Sequence, residues 1–278
     1  MKHNEFKFKT FDRLKLFGQS WQPEDQTRAV VCLIHGLGEH SGRYAHVADN
    51  LTQAGYILIS FDLRGHGKSE GKRGHTPSYE ALMQDISSFL EVANKQFPKL
   101  PFFLYGHSLG GNLALNYVLR RQSHLKGVIA TDPWLRLAFE PPRFKIILAQ
   151  ITNYIWPLFS QKNGLDTKVL SCDPKVVHAY ENDPLVHDHI SARMFIDIYQ
   201  SGQWALEHAS EFSLPLLLMH GRDDKIISVE ASREFVNRIN KKCTFKIWDG
   251  FYHEIHNEPE KEKVFKFLID WLDKKISE

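Results

Sequence analysis

The chain has 278 residues and nearly balanced charge, with 35 Lys and Arg against 33 Asp and Glu and a formal net charge of +2. The length suits one α/β domain that carries an insertion, and the scattered charges exclude the basic patches that nucleic-acid binding requires. The cysteines Cys32, Cys172 and Cys243 include no CxxC pair, so they predict neither a disulfide framework nor a zinc site.

The N-terminal residues 1–7 alternate polar and apolar side chains, whereas a signal peptide needs a continuous apolar stretch. No apolar run in the sequence reaches the length that spans a membrane. From these two observations we expect a cytoplasmic protein.

The first predicted elements are two antiparallel strands. Phe6 and Phe8, and then Leu14 and Leu16, recur at period two on either side of a turn at Asp12. Further along, apolar runs that predict buried strands alternate with segments of helical spacing. The strands are predicted at 30–34, 57–61, 102–105 and 128–130, and the helices at 44–54, 79–94 and 113–119.

The alternation stops after Thr131 and resumes near residue 214. The stretch 133–204 starts at Pro133 and holds the pair Pro141-Pro142, an aromatic-rich segment and several short helical pieces, which indicates an insertion. Beyond it, strands are predicted at 214–219 and 244–247, and helices at 228–239 and 260–276. Residues 1–278 are therefore predicted to form one α/β domain. It has a mostly parallel central sheet flanked by helices and a helical cap inserted at 133–204.

The motif GHSLG at residues 106–110 links a predicted strand to a predicted helix and is typical of a nucleophile elbow. Its two glycines are needed because a Cβ at either position would collide in so sharp a turn. Ser108 is thereby raised above the sheet, and the N–H of Leu109 at the helix start points to an oxygen bound there.

A serine nucleophile needs a base, and the base needs a carboxylate to orient it. Asp223 and Asp224 follow the strand predicted at 214–219, and His253 follows the next strand. The order Ser, Asp, His is that of α/β-hydrolases. Spacing favours Asp224 over Asp223, and His253 over His256, as the partners of Ser108.

The glycine-rich loop after the strand at 30–34 is expected to supply a second oxyanion donor, the N–H of Leu37. His35, His40 and the His187–His189 segment show no convergent ligand spacing, so we expect hydrogen-bonded loop histidines and no metal. The polar side chains of the loop at 62–67 are interpreted as structural, bonding the backbone around the site.

Four motifs together resemble the monoacylglycerol lipase and lysophospholipase branch of the α/β-hydrolases, which is related to the serine aminopeptidase S33 group. They are HGLGEHSGRY at 35–44, FDLRGHGKS at 61–69, GHSLGG at 106–111 and NDPL at 182–185. The resemblance implies Ser108, Asp224 and His253 as the triad and Leu37 and Leu109 as oxyanion donors. It further implies that the insertion caps an acyl-binding tunnel. The family often has Met after the nucleophile where this chain has Leu109, a position that contributes only its backbone.

Apolar residues recur at helical spacing in the insertion, and most of them are expected to pack one helix face against the core. Others are expected to line the route to the site, where an aliphatic wall suits an acyl chain. The candidate substrate-binding residues are Phe144, Ile147, Leu148, Ile151 and Ile155. If this helix is partly exposed, it can also touch a membrane or micelle surface transiently.

The sequence therefore predicts a serine hydrolase of lipid-like carboxylic esters, most simply monoacylglycerols or lysophospholipids, that needs no cofactor. Its partner is a small-molecule lipid ester and not a nucleic acid. Two alternatives stay open. One is a scaffold that binds ligand without catalysis, and the other is a related peptidase, which would need an acidic clamp for the substrate amine.

Overall fold

A computed structural model describes residues 1–122, 124–239 and 243–278. Its strands and helices, in chain order, are β1 Lys2–Lys9, β2 Lys15–Gln22, β3 Ala29–Ile34, α1 Ala45–Gln53, β4 Tyr56–Phe61, α2 Tyr79–Gln96, β5 Phe102–His107, α3 Leu109–Arg120, β6 Gly127–Thr131, α4 Arg143–Ile155, β7 Ser160–Lys162, α5 Pro174–Glu181, β8 His189–Ser191, α6 Ala192–Glu207, β9 Leu216–Gly221, α7 Val229–Arg238, β10 Cys243–Trp248 and α8 Lys261–Ser277.

Eight strands among the described residues form one sheet in the order β1-β2-β4-β3-β5-β6-β9-β10. The predicted antiparallel pair at the N-terminus is present, with Phe8 opposite Leu16. From β4 to β10 all neighbouring strands run parallel. The predicted α/β architecture is therefore confirmed.

Helices cover both faces of the sheet, which is why its central strands are continuously apolar. Alternate residues of β3 enter two different cores: Val30 and Ile34 pack with α2 and α3, whereas Val31 and Leu33 pack with α1 and α8. Because parallel strands share a direction, the loops after β3, β5, β6, β9 and β10 meet at one edge of the sheet.

The insertion contains more structure than the sequence predicted. Strands β7 and β8 pair antiparallel, with Gln161 opposite Ile190, and three-residue strands are too short to show a periodic pattern. The predicted boundary at residue 204 falls inside α6, whose Met194 and Ile198 belong to the main core. The division of the chain into body and cap stays a prediction.

Helix α4 corrects one expectation. All of its residues are described, and none of them is buried, so the expected packing of one face against the core is wrong. Within the described part of the chain, no helix combines the length and the apolar character needed to cross a membrane.

Candidate active site

Ser108 lies in a strained turn between β5 and α3, with φ 54° and ψ −114°. This positive φ is uncommon for a residue with a side chain. A Cβ on Gly106 would lie 2.0 Å from the Gly110 carbonyl oxygen, and one on Gly110 would lie 2.0 Å from that of Ile34. Both glycines are therefore required by close backbone approach, as the sequence predicted.

The loops after β5, β9 and β10 bring three buried side chains into one hydrogen-bonded chain. Ser108 Oγ lies 3.0 Å from His253 Nε2, and His253 Nδ1 lies 2.7 Å from Asp224 Oδ2. The neutral arrangement is one in which Nδ1–H donates to the carboxylate and Nε2 accepts from the hydroxyl. This geometry suits removal of the serine proton by the imidazole.

The competing candidates lie elsewhere. The Asp223 side chain is exposed, and its backbone N–H donates to the Phe251 carbonyl at 3.0 Å. His256 is buried and stacks on Tyr44 with ring centroids 4.9 Å apart. The structure therefore brings Asp224 and His253, and neither alternative, to Ser108.

Asp224 is held ionised at the site, and its charge favours protonation of His253. Burial alone would raise the pKa of Asp224, but the charge on His253 and hydrogen bonds from His220 and His253 hold it well below its ordinary value. Burial opposes protonation of His253, yet the charge of Asp224 and its hydrogen bond raise the pKa of that imidazole. His107 beside it has a pKa lowered to about 4 by burial and by His253, so it is neutral.

The two predicted oxyanion donors flank Ser108. Leu109 is the first residue of α3, where an N–H has no intrahelical acceptor. Leu37 lines the cavity above the serine, and across the described residues its N–H donates to no backbone or side-chain acceptor. The loop around Leu37 lies against the nucleophile, since a Cβ on Gly36 would be 3.3 Å from Ser108 Cβ.

The sequence reasoning missed a buried ion-pair clamp below this loop. Arg43 contacts Glu39 at 2.7 Å and pairs with both carboxylate oxygens of Glu254 at 2.7 and 2.8 Å. Glu39 in turn accepts from the Gly36 N–H at 2.5 Å. Arg43 thus ties the Leu37 loop to the segment that carries His253. The position of Glu254 directly after His253 was the available signal.

The loop at 62–67 has the structural role that the sequence analysis assigned to it. Asp62 accepts from the backbone N–H groups of Ser41 and Lys68 at 2.8 and 2.7 Å. Arg64 is buried and pairs with Asp85 at 2.6 Å and with Asp12 at 2.9 Å.

The loop histidines considered as metal ligands make local hydrogen bonds. His35 Nε2 accepts from the Leu63 N–H at 2.9 Å, and His40 contacts Asp183 at 2.8 Å. Among the described residues, the one group with converging ligand atoms is Asp132, His220 and Asp224. Its Asp224 oxygens already accept from N–H groups, which favours a hydrogen-bonded network over a metal site.

A largely apolar cavity of about 720 Å³ opens on Ser108 and His253. Of the predicted cap residues, Phe144 and Leu148 line it. Ile147, Ile151 and Ile155 do not, and they are 54%, 50% and 74% exposed. The lining residues that the prediction missed come from α4 and from its neighbours: Ile146, Ala149, Thr152, Phe159, Leu165, Ile190 and Phe195.

The correction to the cap has a geometric reason. Residues 147, 151 and 155 follow each other at four-residue spacing and form one stripe of α4. The cavity is lined by residues 144–146, 148–149 and 152 of α4. Most of these form a second stripe, which lies around the helix from the first, and 144 and 148 lie next to the first. Periodicity identified an apolar face but not the direction in which it points.

An eight-stranded sheet with Ser108 at a strand-to-helix elbow, and with an acid and a histidine after the last two strands, defines an α/β-hydrolase. The family described as serine aminopeptidase S33, Hydrolase_4, matches residues 25–260. The chain belongs to this family.

Comparison with individual proteins shows which members of this family the chain is similar to. A monoacylglycerol lipase from Mycolicibacterium smegmatis is 32% identical over 271 residues, which cover 97% of this chain and 96% of that protein. The crystal structure of Paleococcus ferrophilus monoacylglycerol lipase has a TM-score of 0.84 and 38% identity, and the match covers 99% of this chain and 100% of that one. An uncharacterized abhydrolase domain-containing protein from Dictyostelium discoideum is 38% identical over 270 residues. That match covers 96% of this chain and only 28% of the relative. The resemblance to the monoacylglycerol lipase branch is confirmed.

Proposed function

We propose that the protein is a serine hydrolase of lipid-like carboxylic esters with a small polar head, such as monoacylglycerols or lysophospholipids. The observation that carries this proposal is the chain of contacts from Ser108 through His253 to Asp224 at the floor of an apolar cavity. The monoacylglycerol lipases among the relatives support the same substrate class.

In the proposed reaction, His253 Nε2 takes the Ser108 proton while Oγ attacks the ester carbonyl. The negative oxygen that forms is held by the N–H groups of Leu37 and Leu109. The C–O bond then breaks, and His253 returns the proton to the departing alcohol. In the second half, His253 deprotonates a water that attacks the acyl-enzyme on Ser108, which releases the acid and restores the hydroxyl.

The cavity walls favour an acyl chain over a charged peptide, because apolar residues dominate them. A peptidase acting on a free amino terminus needs an acid available to bind the amine. Glu39 and Glu254 line the cavity, but both carboxylates are buried and already paired with Arg43. Asp166, a third acid in the lining, accepts from the Lys168 N–H at 3.1 Å. This distribution of charge supports an esterase.

Labelling with a fluorophosphonate probe tests the nucleophile. We expect the wild-type protein to react covalently and Ser108→Ala to lose the label while keeping its circular dichroism spectrum. Ser87→Ala is a matched control, because Ser87 lies on α2 away from the cavity. A folded wild-type protein that fails to react would favour a ligand-binding scaffold without catalysis.

Initial rates across a substrate panel test the chemical class. The panel holds monoacylglycerols of increasing chain length, lysophospholipids, short aryl esters and aminoacyl arylamides. We expect long-chain single-acyl esters to give the highest kcat/KM and the arylamides to give no measurable rate. Faster cleavage of arylamides than of esters would replace this proposal with a peptidase.

We also propose that α4 contacts lipid surfaces, consistent with a cytoplasmic enzyme that works at a membrane or micelle. Its exposed stripe continues past its end into Trp156, which is 60% exposed. Exposed apolar patches of this kind are typical of interaction sites. Co-sedimentation with phosphatidylcholine vesicles should show binding that is weakened in the variant Ile151→Ser/Ile155→Ser, and wild-type protein that stays in the supernatant would contradict the contact.

A further inference from the structure

A second group of buried ionisable residues lies behind the catalytic acid. His220 is the fifth residue of β9, and Asp132 follows the end of β6. Both side chains are fully buried. Together with Asp224 they bring three side-chain nitrogen or oxygen atoms within 4.8 Å of one another. The reaction proposed above uses Asp224 but neither of its two neighbours.

The surroundings of His220 determine which ring nitrogen carries the proton. Three oxygens face Nε2: Asp224 Oδ2 at 3.2 Å, the Ile227 carbonyl at 3.3 Å and Asp132 Oδ1 at 3.8 Å. Nδ1 lies 2.8 Å from Ser232 Oγ, a hydroxyl that can donate. Since two acceptors lie within hydrogen-bond distance of Nε2 and the hydroxyl at Nδ1 can donate, we expect a neutral ring to carry its proton on Nε2.

This proton lies against the oxygen that His253 uses. Asp224 Oδ2 is the acceptor of the His253 Nδ1–H at 2.7 Å. The other carboxylate oxygen, Oδ1, accepts from the N–H groups of Ile226 and Ile227 at 2.8 and 3.1 Å. Since the Ile227 carbonyl accepts from His220, that ring contacts both the carboxylate and the loop that orients it.

Asp132 does not compete with Asp224 for the negative charge. Burial and the charge of Asp224 raise the pKa of Asp132 well above its ordinary value, which favours the neutral carboxyl. Its Oδ1 accepts from the Gly221 N–H at 2.8 Å, which fixes the end of β9. The negative charge is therefore favoured on Asp224, whose Oδ2 faces His253.

The remaining ionisable groups around His253 are accounted for. His107 and His256 are buried rings whose pKa values burial lowers, so both are neutral. Glu39 and Glu254 are both paired with Arg43. Asp224 is thus the charged group that contacts the base, while Glu254 and Glu39 raise the pKa of His253 from a greater distance.

We propose that His220 is a positioning residue for the catalytic acid. Its Nε2–H, shared between Asp224 Oδ2 and the Ile227 carbonyl, fixes the carboxylate toward His253 and limits how strongly that oxygen attracts the His253 proton. The hydrogen bond from His220 lowers the pKa of Asp224 and so makes Oδ2 less basic, and losing it should strengthen the remaining bond from His253. This inference rests on the proposed function, because it assigns a role relative to the base of Ser108.

The test compares His220→Met, which is similar in volume and has no donor, with His220→Gln, which restores an N–H donor. For His220→Met we expect the acid limb of kcat/KM against pH, measured with a soluble aryl ester, to move upward by about 0.5–1 pH unit. The plateau of kcat/KM should fall roughly 5- to 10-fold. His220→Gln should return both quantities toward the wild-type values.

His66→Met is the matched control, because His66 is also a fully buried ring but packs at a tilt against His35 and His187, outside the triad. It is expected to lower the melting temperature without moving the acid limb. A folded His220→Met protein with the wild-type limb and plateau would overturn the proposal, since a purely structural role predicts that result.

A second measurement does not depend on any variant folding. The ¹⁵N chemical shifts of the His220 ring in the wild-type protein report which nitrogen is protonated, and we expect Nε2. A proton on Nδ1 would overturn the proposal. If the wild-type protein neither hydrolyses an ester nor reacts with a fluorophosphonate, the proposed function fails, and the ring assignment still decides the contact with Asp224 separately.

Discussion

Helices α3 and α4 have nearly the same length, 12 and 13 residues, and they lie below and above the same cavity. Ten residues of α3 are buried, whereas α4, fully described, buries none. Both sequences are rich in apolar residues. We call α3 with the Ser108 turn and the triad the floor of the cavity and α4 its roof. The difference shows that apolar side chains at helical spacing pack into the core in the floor but stay at least partly exposed in the roof.

The floor contains the strained backbone of Ser108, and its close contacts keep that conformation in place. Ser108 keeps its positive φ only while Gly106 and Gly110 lie against neighbouring backbone and while the Ser108 N–H donates to the Thr131 carbonyl at 2.9 Å. The roof has no such constraint. Its exposed stripe costs free energy in water, which contact with a lipid surface would offset.

The largest expected effect tests whether catalysis depends on the buried acid in the floor. We expect Asp224→Asn to lower kcat about 10⁴-fold, because His253 loses the carboxylate that fixes its tautomer. Asp223→Asn, a change at the exposed neighbour, should leave kcat unchanged. Steady-state rates with a soluble ester give both values, and equal losses in the two variants would contradict the assignment of the acid.

The next test compares the stability contributed by the two helices. Leu113 of α3 is fully buried, and Leu113→Ala should lower the free energy of unfolding by about 2–5 kcal/mol. Ile151 of α4 is half exposed, and Ile151→Ala should change it by less than about 0.5 kcal/mol. Urea unfolding followed by circular dichroism measures both, and a large loss for Ile151→Ala would mean that α4 packs more tightly than the structure shows.

The pH dependence of kcat/KM is a further test, because it should follow the protonation of His253 at the floor of the cavity. The pKa of His253 lies above its ordinary value of 6.5, and only the neutral ring accepts the Ser108 proton. The rate kcat/KM should therefore rise with pH through a limb above 6.5 and fall about tenfold per unit below it. A limb at or below pH 6.5 would show that burial outweighs the charge of Asp224.

The floor could be predicted from the sequence because local rules determine it. Two glycines around Ser108 follow from steric collision, and buried strands follow from continuous apolar runs. The order of Ser108, Asp224 and His253 places all three at the carboxyl edge of parallel strands. Each inference needed only neighbouring residues and one rule of sheet topology.

The roof and the supporting contacts could not be predicted in the same way. The direction of α4 depends on which elements it packs against, and the apolar stripe of Ile147, Ile151 and Ile155 carries no information about them. The clamp formed by Arg43 joins residues more than 200 positions apart. The contact of His220 with Asp224 depends on a ring orientation that four residues of spacing leave open.

The smallest expected effect separates the two stripes of α4. Ile146 lines the cavity and Ile147, its neighbour, does not. We expect Ile146→Ser to lower kcat/KM for a monomeric long-chain monoacylglycerol about fivefold, because apolar contact with the acyl chain is lost. Its rate on a short aryl ester should stay unchanged. Ile147→Ser should alter neither rate in solution, because the Ile147 side chain does not line the cavity that would hold the acyl chain. Equal losses for the two variants on the long substrate would mean that both stripes contact it. Helix α4 would then have to rotate about its axis when substrate binds.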